Sequence, residues 1–161
     1  TSLNNKPDVR MVLLKKILPD GFVFFTNIKS NKGKQFLKNN NLAMCFYWES
    51  LKKQIRISGK GSVINEKDSD LYFSSRPRKS QLGAWASKQS NEIQSRKVLI
   101  SRLKKYEKKF ENIKVSRPPY WVGIKIAPTC FEFWQGDKFR LHEREVYNLK
   151  QKVWQKKILS P

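Results

Sequence analysis

Short runs rich in β-branched and aromatic residues, on both sides of a helical middle third, constrain the fold of this chain more than any other feature. The strand-like runs are residues 10–17, 22–26, 42–48, 53–64, 120–127, 130–135, 139–148 and 152–158. Pro19-Asp20-Gly21 is a strong turn sequence and predicts a hairpin between the first two runs. Closely spaced strands of this kind pair antiparallel. The pattern therefore predicts a mainly β protein with helices, a β-barrel of the α+β type with its helices packed outside.

Helices are predicted at one short stretch near the start and throughout the middle third. Residues 30–39 form the first helix, with Ser30 as its N-cap. In the middle third, residues 66–75 have helical character, and this helix stops at Pro77 because proline disfavours α-helical geometry at the residue before it. A second short helix of this part is predicted to begin near Ser80.

The longest predicted helix covers residues 91–111 and carries one apolar stripe. The stripe consists of Leu99, Leu103, Tyr106 and Phe110, which recur at helical spacing. We expect this stripe to pack against the sheet. Asn91, followed three positions later by Gln94, resembles a capping box and predicts where the helix begins.

Length and composition indicate a single domain, residues 1–161, that does not cross a membrane. Hydrophobic residues make up 39% of the chain, and no apolar run approaches the ~20 residues that span a bilayer. The N-terminus lacks the apolar core of a signal peptide. Cys45 and Cys130 lie in apolar runs, so we expect buried free thiols and a cytoplasmic location. Because His142 is the sole histidine, we expect no metal site.

The positive charge raises the hypothesis of a nucleic-acid-binding protein. Thirty-four basic residues against thirteen acidic ones give a net charge of +21, which could neutralise a phosphate backbone. However, 25 of these residues are lysines and only 9 are arginines, mostly scattered along the chain. No RNP1, KH or zinc-finger pattern is present either. We therefore favour the interpretation that a few cations bind small phosphorylated ligands while the rest are solvated.

A first polar cluster has the residue types of a phosphate site. Tyr72 and Arg76 are four residues apart and share one helical face. Ser80 follows Pro77, where a starting helix offers backbone N–H groups to an anion. A capped corner between two helices is an equally good interpretation, and the spacing alone leaves both open.

Two further clusters contain basic residues on predicted strands. Arg140, His142 and Arg144 would share one face of the strand over 139–148. Their mutual repulsion favours a bound anion, although a solvated basic face is the alternative. In the first strand Arg10 and Lys15 would point to opposite faces and could therefore bind different anions. The alternative is an ordinary strand with a charged residue near each end.

Three segments, taken together, carry a resemblance to a known family. The segments are RMVLLK (10–15), SRPRKSQLGAWASKQS (75–90) and FEFWQGDKFRLHER (131–144). In this order and at these separations they resemble the pyridoxamine 5'-phosphate oxidase family, and the resemblance is collinear over essentially the whole chain. It implies an FMN-binding split barrel that forms a homodimer with FMN at the interface. The implied reaction converts pyridoxine 5'-phosphate or pyridoxamine 5'-phosphate to pyridoxal 5'-phosphate, with O2 as acceptor and H2O2 as product.

The resemblance also implies a role for particular residues. The implied FMN contacts are Arg10, Met11, Val12, Leu13, Leu14, Lys15, Phe25, Thr26, Asn31, Lys32, Gln54, Gln89, Ser90, Trp134 and Arg144. The implied substrate contacts are Lys15, Tyr72, Arg76, Ser80, Arg140, Leu141 and His142. Among these, Arg140 and His142 would hold the substrate ring and act as the catalytic residues.

The chain departs from the family pattern at three places. Phe25 stands where the family usually has an aromatic hydroxyl, and Asn31 stands where it usually has arginine, for which Lys29 or Lys34 would compensate. Only residues 1–9 precede the first motif, so the chain is expected to lack the family's first strand and N-terminal lid. Two rival hypotheses remain at this point: a split-barrel flavoprotein with another substrate, and a basic nucleic-acid-binding protein.

Overall fold

The strand-like runs pair in one antiparallel sheet of seven strands, with four helices beside it. The computed structural model describes residues 7–161, and residues 1–6 lie outside the described part. The strands are β1 (Lys16–Leu18), β2 (Gly21–Asn27), β3 (Asn41–Trp48), β4 (Lys53–Val63), β5 (Trp121–Gln135), β6 (Glu143–Lys150) and β7 (Val153–Ile158). The helices are α1 (Asn31–Lys38), α2 (Glu66–Ser74), α3 (Arg78–Ala86) and α4 (Arg96–Lys109). The predicted fold class, mainly β with helices, is confirmed.

The long strand β5 organises the sheet. On one side it pairs with β4 along most of its length, and β4 in turn pairs with β3. On its other side, its first half pairs with β2 and its second half with β6, which continues to β7. One edge of β5 is thus shared by two different strands, so the sheet branches along β5.

An irregularity in the sheet coincides with a glycine. The register between β4 and β5 shifts between Ser58 and Gly59. A Cβ atom at Gly59 would lie 2.1 Å from the carbonyl oxygen of Ala127 on β5, closer than any side chain tolerates. Glycine is thus required here because the two backbones approach each other closely at the irregularity.

Two apolar clusters hold the helices to the sheet. One lies between α1 and the sheet and contains Phe24, Phe36, Ile124 and Ile126. The other joins α2, α3 and the end of α4 to the start of β5, and contains Phe73, Leu82, Phe110, Val115 and Trp121. The second cluster fixes the corner between α2 and α3 against the sheet.

The helices follow the prediction in number but not in every boundary. Ser30 caps α1 by accepting a hydrogen bond from the Gly33 N–H, as expected. The longest helix begins only at Arg96, with Ser95 in the cap position, so the capping box predicted at Asn91 and Gln94 is wrong. Its apolar stripe packs on α3 and the second cluster, not directly on the sheet as expected. For example, Tyr106 contacts Trp85 with ring centroids 5.5 Å apart.

The first predicted strand is wrong over most of its length. The hairpin forms at the predicted turn, but β1 covers only Lys16–Leu18, and residues 7–15 have no regular structure. Asp8 and Arg10 hydrogen-bond to Gln35 of α1, which draws this segment across the helix instead of along the sheet. Local strand propensity was overridden by these tertiary contacts.

The predicted strand over 139–148 is also wrong at its start. Phe139 and Arg140 have φ of 56° and 63°, in the left-handed region, so β6 begins only at Glu143. The Asp137 side chain accepts a hydrogen bond from the Lys138 N–H at 2.6 Å, a turn that competes with strand pairing. The predicted runs 120–127 and 130–135, in contrast, join into the single strand β5.

Both cysteines are free, but the expected burial is wrong. Cys45 is exposed on β3, and Cys130 is half-buried on β5. Within residues 7–161, no helix is both long and apolar enough to cross a membrane. The same residues contain no group of three or more potential metal ligands.

Candidate functional site

A cleft of about 740 Å³ opens between the corner of α2 and α3, the sheet and the irregular segment before β1. Its lining comes from distant parts of the chain. The residues are Met11, Val12, Leu13, Lys15, Phe25, Thr26, Asn27, Lys32, Tyr72, Ser75, Arg76, Pro77, Ser80, Gly83, Ala84, Ser87, Gln89 and Trp121. Segments that sequence reasoning treated as separate clusters thus meet around one space.

The corner between α2 and α3 brings the phosphate cluster (Tyr72, Arg76 and Ser80) to one wall of the cleft. Tyr72 lies in the last turn of α2, Arg76 in the connection, and Ser80 in the first turn of α3. Helix α3 begins with Pro77 in the cap position and no side-chain cap. Because the first N–H groups of a helix have no partners within it, this wall has the polarity that suits an anion.

Aromatic rings line the cleft beside the phosphate cluster. Phe25 stacks on Tyr72 with centroids 4.1 Å apart and on Trp121 with centroids 4.9 Å apart. The amine of Lys15 lies 5.9 Å from the centroid of the Tyr72 ring, and the guanidinium carbon of Arg76 lies 4.9 Å from that of Trp121. Both cations therefore rest on aromatic faces at the edge of the cleft.

Two buried polar atoms facing this region have no hydrogen-bond partner within residues 7–161: Oγ1 of Thr26 and Nη1 of Arg76. Buried polar groups are nearly always satisfied, so such atoms indicate a site for a polar ligand. Burial also lowers the pKa of the Arg76 guanidinium, because leaving water disfavours the charged form. A bound anion would give these polar atoms a hydrogen-bond partner and would offset the cost of burying the Arg76 charge.

A second anion-attracting region lies at the N-terminus of α1. The Lys32 amine hydrogen-bonds to Oε1 of Gln89 at 3.2 Å, and the Asn31 N–H donates to Oγ of Ser90 at 3.2 Å. Burial lowers the pKa of Lys32, and the positive charge of the nearby Arg10 lowers it further. The start of α1 and two adjacent cations together suit a second phosphate group.

The two lysines suggested to compensate for Asn31, Lys29 and Lys34, lie outside the lining of the cleft. The Lys29 amine lies 5.6 Å from the centroid of the Tyr120 ring. The lysine that adjoins the start of α1 on the cleft side is Lys32 itself.

Other predicted residues lie on a different surface of the same chain. Gln54 on β4 is opposite Trp134 on β5, which is opposite Arg144 on β6, so the three form a row across the sheet. Gln54 and Trp134 line a second groove of about 380 Å³. The His142 ring packs on Trp134 with centroids 4.8 Å apart, and its Nδ1 accepts a hydrogen bond from the Asp137 N–H.

The predicted common strand face of Arg140, His142 and Arg144 is therefore wrong. Arg140 lies in the turn before β6 and is exposed, as is Leu141. Arg144 pairs with the Glu132 carboxylate at 3.1 Å and donates to the carbonyl oxygen of Ser160. His142 and Arg144 are thus oriented by neighbours in their own chain.

Within one chain the predicted residues fall into two groups. Those that line the cleft are Met11, Val12, Leu13, Lys15, Phe25, Thr26, Lys32, Tyr72, Arg76, Ser80 and Gln89. Those outside its lining are Arg10, Leu14, Asn31, Gln54, Ser90, Trp134, Arg140, Leu141, His142 and Arg144. Of the second group, Asn31 and Ser90 hydrogen-bond to each other and are the sequence neighbours of the cleft residues Lys32 and Gln89.

Sequence reasoning missed Trp121, Asn27 and Ser87 as cleft residues. Asn27 and Trp121 are directly opposed on β2 and β5, so their common location depends on a strand pairing that spans most of the chain. Asn27 could have been predicted from the sequence, because it directly follows Phe25 and Thr26, two predicted FMN contacts, on the same strand.

Solved structures share this architecture. A pyridoxamine 5'-phosphate oxidase-related, FMN-binding protein from Nostoc punctiforme superposes with a TM-score of 0.77 at 15% identity, covering 99% of this chain and 84% of that protein. PhzG from Burkholderia lata, solved with tetrahydrophenazine-1-carboxylic acid, gives a TM-score of 0.93 at 26% identity, covering 100% and 79%. The fold is therefore the split barrel of these proteins.

Sequence comparisons define the family more narrowly. The profile described as pyridoxamine 5'-phosphate oxidase matches residues 1–110, and that of the pyridoxine 5'-phosphate oxidase C-terminal dimerisation region matches residues 121–161. The pyridoxine/pyridoxamine 5'-phosphate oxidase of Zymomonas mobilis is 46% identical over 155 residues, covering 96% of this chain and 81% of that protein. Its counterpart in a Cyanothece species is 47% identical over 160 residues, covering 99% and 75%. The chain belongs to the pyridoxamine 5'-phosphate oxidase family.

Proposed function

We propose that this protein is an FMN-dependent oxidase that converts pyridoxine 5'-phosphate or pyridoxamine 5'-phosphate to pyridoxal 5'-phosphate. Oxygen accepts the electrons and leaves as H2O2, and pyridoxamine 5'-phosphate in addition takes up water and releases ammonia. The reaction serves the biosynthesis and salvage of vitamin B6. The observation that carries the proposal is the convergence of Lys15, Tyr72, Arg76 and Ser80 on one cleft. Family membership supports the same reaction.

The residues around the cleft fit FMN. The start of α1, with Lys32, Gln89 and Ser90, offers positive charge and polar side chains to the flavin phosphate. Oγ1 of Thr26, buried without a partner within residues 7–161, would hydrogen-bond to a polar edge of the flavin. Phe25 contributes an apolar ring in place of the usual hydroxyl, so we expect one polar contact fewer.

The substrate phosphate would bind at the phosphate cluster, at the corner of α2 and α3 rather than at the start of α1. Arg76, Tyr72 and Ser80 hold this dianion far from the carbon that reacts, so their binding energy positions the substrate. Arg140 and His142 would hold the substrate ring and stabilise charge on it. Bound FMN would supply the two-electron oxidation at C4', with oxygen as the final acceptor.

We further propose that the site is completed in a homodimer, with FMN at the interface. In one chain, Arg140, His142 and the row Gln54–Trp134–Arg144 lie outside the cleft. The dimerisation region matched by residues 121–161 contains most of this group. A second chain that presents this surface to the cleft would bring the ring-holding residues to the phosphate-holding ones. The single-domain organisation of residues 1–161 and the cytoplasmic location stay predictions.

The visible spectrum of the purified protein, followed by peroxide release on adding pyridoxine 5'-phosphate, tests the proposed activity. A yellow protein with flavin absorbance that releases peroxide supports it. A yellow protein inactive on both phosphorylated vitamers would instead indicate a split-barrel flavoprotein with another substrate, as the PhzG likeness allows. A colourless protein that binds DNA with a steep salt dependence would indicate the nucleic-acid-binding alternative.

Subunit complementation tests the shared site. At substrate concentrations far below the KM of the Arg76→Ala variant, Arg76→Ala and Arg140→Ala each impair every site of a homodimer. If one site takes Arg76 from one chain and Arg140 from the other, a mixed dimer has one intact site out of two. Random mixing makes about half of the dimers mixed, so roughly a quarter of wild-type activity should return. No recovery on mixing would contradict a site shared between subunits.

A further inference from the structure

A buried tryptophan that the proposed function leaves unused lies directly against Arg76. The guanidinium carbon of Arg76 is 4.9 Å from the centroid of the Trp121 ring and 5.5 Å from that of Phe73. Both distances lie within the ~6 Å at which an aromatic face attracts a cation, and tryptophan attracts most strongly. Trp121 is only 7% exposed, so water competes little for this contact.

No carboxylate within residues 7–161 forms an ion pair with Arg76. A carboxylate would orient the guanidinium, but it would also neutralise the charge and occupy N–H groups that a phosphate needs. An aromatic face orients the guanidinium from one side and leaves its N–H groups unused. Nη1 of Arg76 is indeed buried without a hydrogen-bond partner in the described chain.

Trp121 is itself held firmly from several directions. Its ring stacks on Phe25 with an interplanar angle of 9° and meets Phe73 edge-on at 5.1 Å. Its carbonyl oxygen accepts a hydrogen bond from Arg117 at 2.8 Å, and Arg117 also pairs with Asp70 of α2 at 2.6 Å. The start of β5 is thus tied to the helix that leads into Arg76.

We propose that Trp121 is a positioning residue for the substrate phosphate: its ring holds the Arg76 guanidinium in the orientation that receives the phosphate. This inference rests on the proposed function, because it takes the phosphate at Arg76 to be that of the substrate. Trp121 acts through Arg76 and makes no contribution to turnover once the substrate is bound.

Trp121→Leu and Trp121→Phe, in the FMN-loaded protein, test the proposal. Loss of the aromatic face should raise KM for pyridoxine 5'-phosphate about tenfold in Trp121→Leu, with kcat within about twofold of wild type. Trp121→Phe keeps a weaker face and should restore most of the affinity. The matched control is Trp85→Leu, which removes a tryptophan packed against the same apolar cluster without touching Arg76. An unchanged KM in Trp121→Leu, or an equal rise in Trp85→Leu, would overturn the proposal.

A double-mutant cycle separates action through Arg76 from general damage. In an Arg76→Ala background, Trp121→Leu should raise KM no further, whereas an additional tenfold rise would refute the coupling. If Trp121→Leu does not fold, site-specific replacement of Trp121 by a fluorinated tryptophan weakens the negative ring face at nearly constant volume. KM should then rise about threefold, and an unchanged KM would count against the proposal.

Ligand binding distinguishes failure of this inference from failure of the proposed function. The dissociation constant of pyridoxal 5'-phosphate can be measured by a binding titration whether or not the protein oxidises its precursor. An inactive wild type in which binding weakens equally in Arg76→Ala and Trp121→Leu refutes the proposed oxidase and keeps the positioning role. Binding that is insensitive to Trp121 refutes the positioning role, whatever the activity.

Discussion

Replacing Arg76 with alanine removes the guanidinium that carries the substrate-phosphate assignment. The side chain lies on the cleft wall between α2 and α3, half-buried, on the faces of Trp121 and Phe73. It forms no ion pair within residues 7–161, so its removal leaves no carboxylate without a partner. We therefore expect Arg76→Ala to fold and to retain FMN, whose proposed phosphate contacts lie at the start of α1.

The magnitude follows from the interactions that the variant loses. A hydrogen bond to a charged group contributes about 1.5–3 kcal/mol. Since each 1.4 kcal/mol corresponds to a factor of ten, KM for pyridoxine 5'-phosphate should rise by roughly 10- to 150-fold. Tyr72, Ser80 and Lys15 remain on the phosphate, so binding is weakened but not abolished. Because the phosphate is remote from C4', kcat should fall much less than KM rises.

Steady-state peroxide release gives KM and kcat, and flavin absorbance after gel filtration gives the retained FMN. Arg96→Ala is a matched control, because Arg96 is an exposed arginine at the start of α4, outside the cleft. Pyridoxine without its phosphate is a second control, since the loss caused by Arg76→Ala should nearly vanish with it. An unchanged KM for the phosphorylated substrate, with FMN bound, would refute the assignment of Arg76.

Two further predictions concern the ring-holding turn and the second phosphate region. Arg140→Ala should reduce turnover or ring binding with little effect on FMN retention. If the kinetics of Arg140→Ala equal those of wild type, or of the neighbouring control Lys138→Ala, the ring-holding role of Arg140 is refuted. At Lys32 the pKa is lowered by burial and by Arg10, so the amine loses its proton at a lower pH than an ordinary lysine. FMN affinity, measured by quenching of flavin fluorescence, should therefore fall as the pH rises through the lowered pKa of Lys32, before it reaches the ordinary lysine value of 10.5. Lys32→Arg, which stays protonated, should abolish that pH dependence, and an identical pH dependence in this variant would contradict it.

Local sequence patterns predicted the structure correctly where the contacts that determine it are made between residues close in sequence. The hairpin at Pro19 and the cap at Ser30 depend on a few neighbouring residues, and both were predicted correctly. The grouping of Tyr72, Arg76 and Ser80 was predictable for the same reason, because Tyr72 and Arg76 are about one helical turn apart and Ser80 follows the corner at Pro77. Their binding of a phosphate stays a prediction.

The errors arose where tertiary contacts override local propensity. Residues 10–15 have strand-forming composition, yet Arg10 is drawn to Gln35, a contact that no local pattern encodes. Arg140 was placed on a strand face, but the hydrogen bonds of Asp137 favour a turn with left-handed backbone there. Trp121 was missed because its place in the cleft depends on pairing with β2, about a hundred residues earlier in the chain.

The net charge of +21 does not itself select a phosphate, because the cations differ in what surrounds them. Among those that form ion pairs within the described residues are Arg10, Arg56, Arg117, Lys125, Arg144 and Lys156. Around the cleft, Lys15, Lys32 and Arg76 have no such pair, and burial disfavours the charged form of the latter two. A bound phosphate would offset that cost, so part of the electrostatic free energy given up in folding is recovered on binding. Exposed cations such as Lys104 and Lys108 carry no comparable cost, and they therefore give no preference for one anion over another.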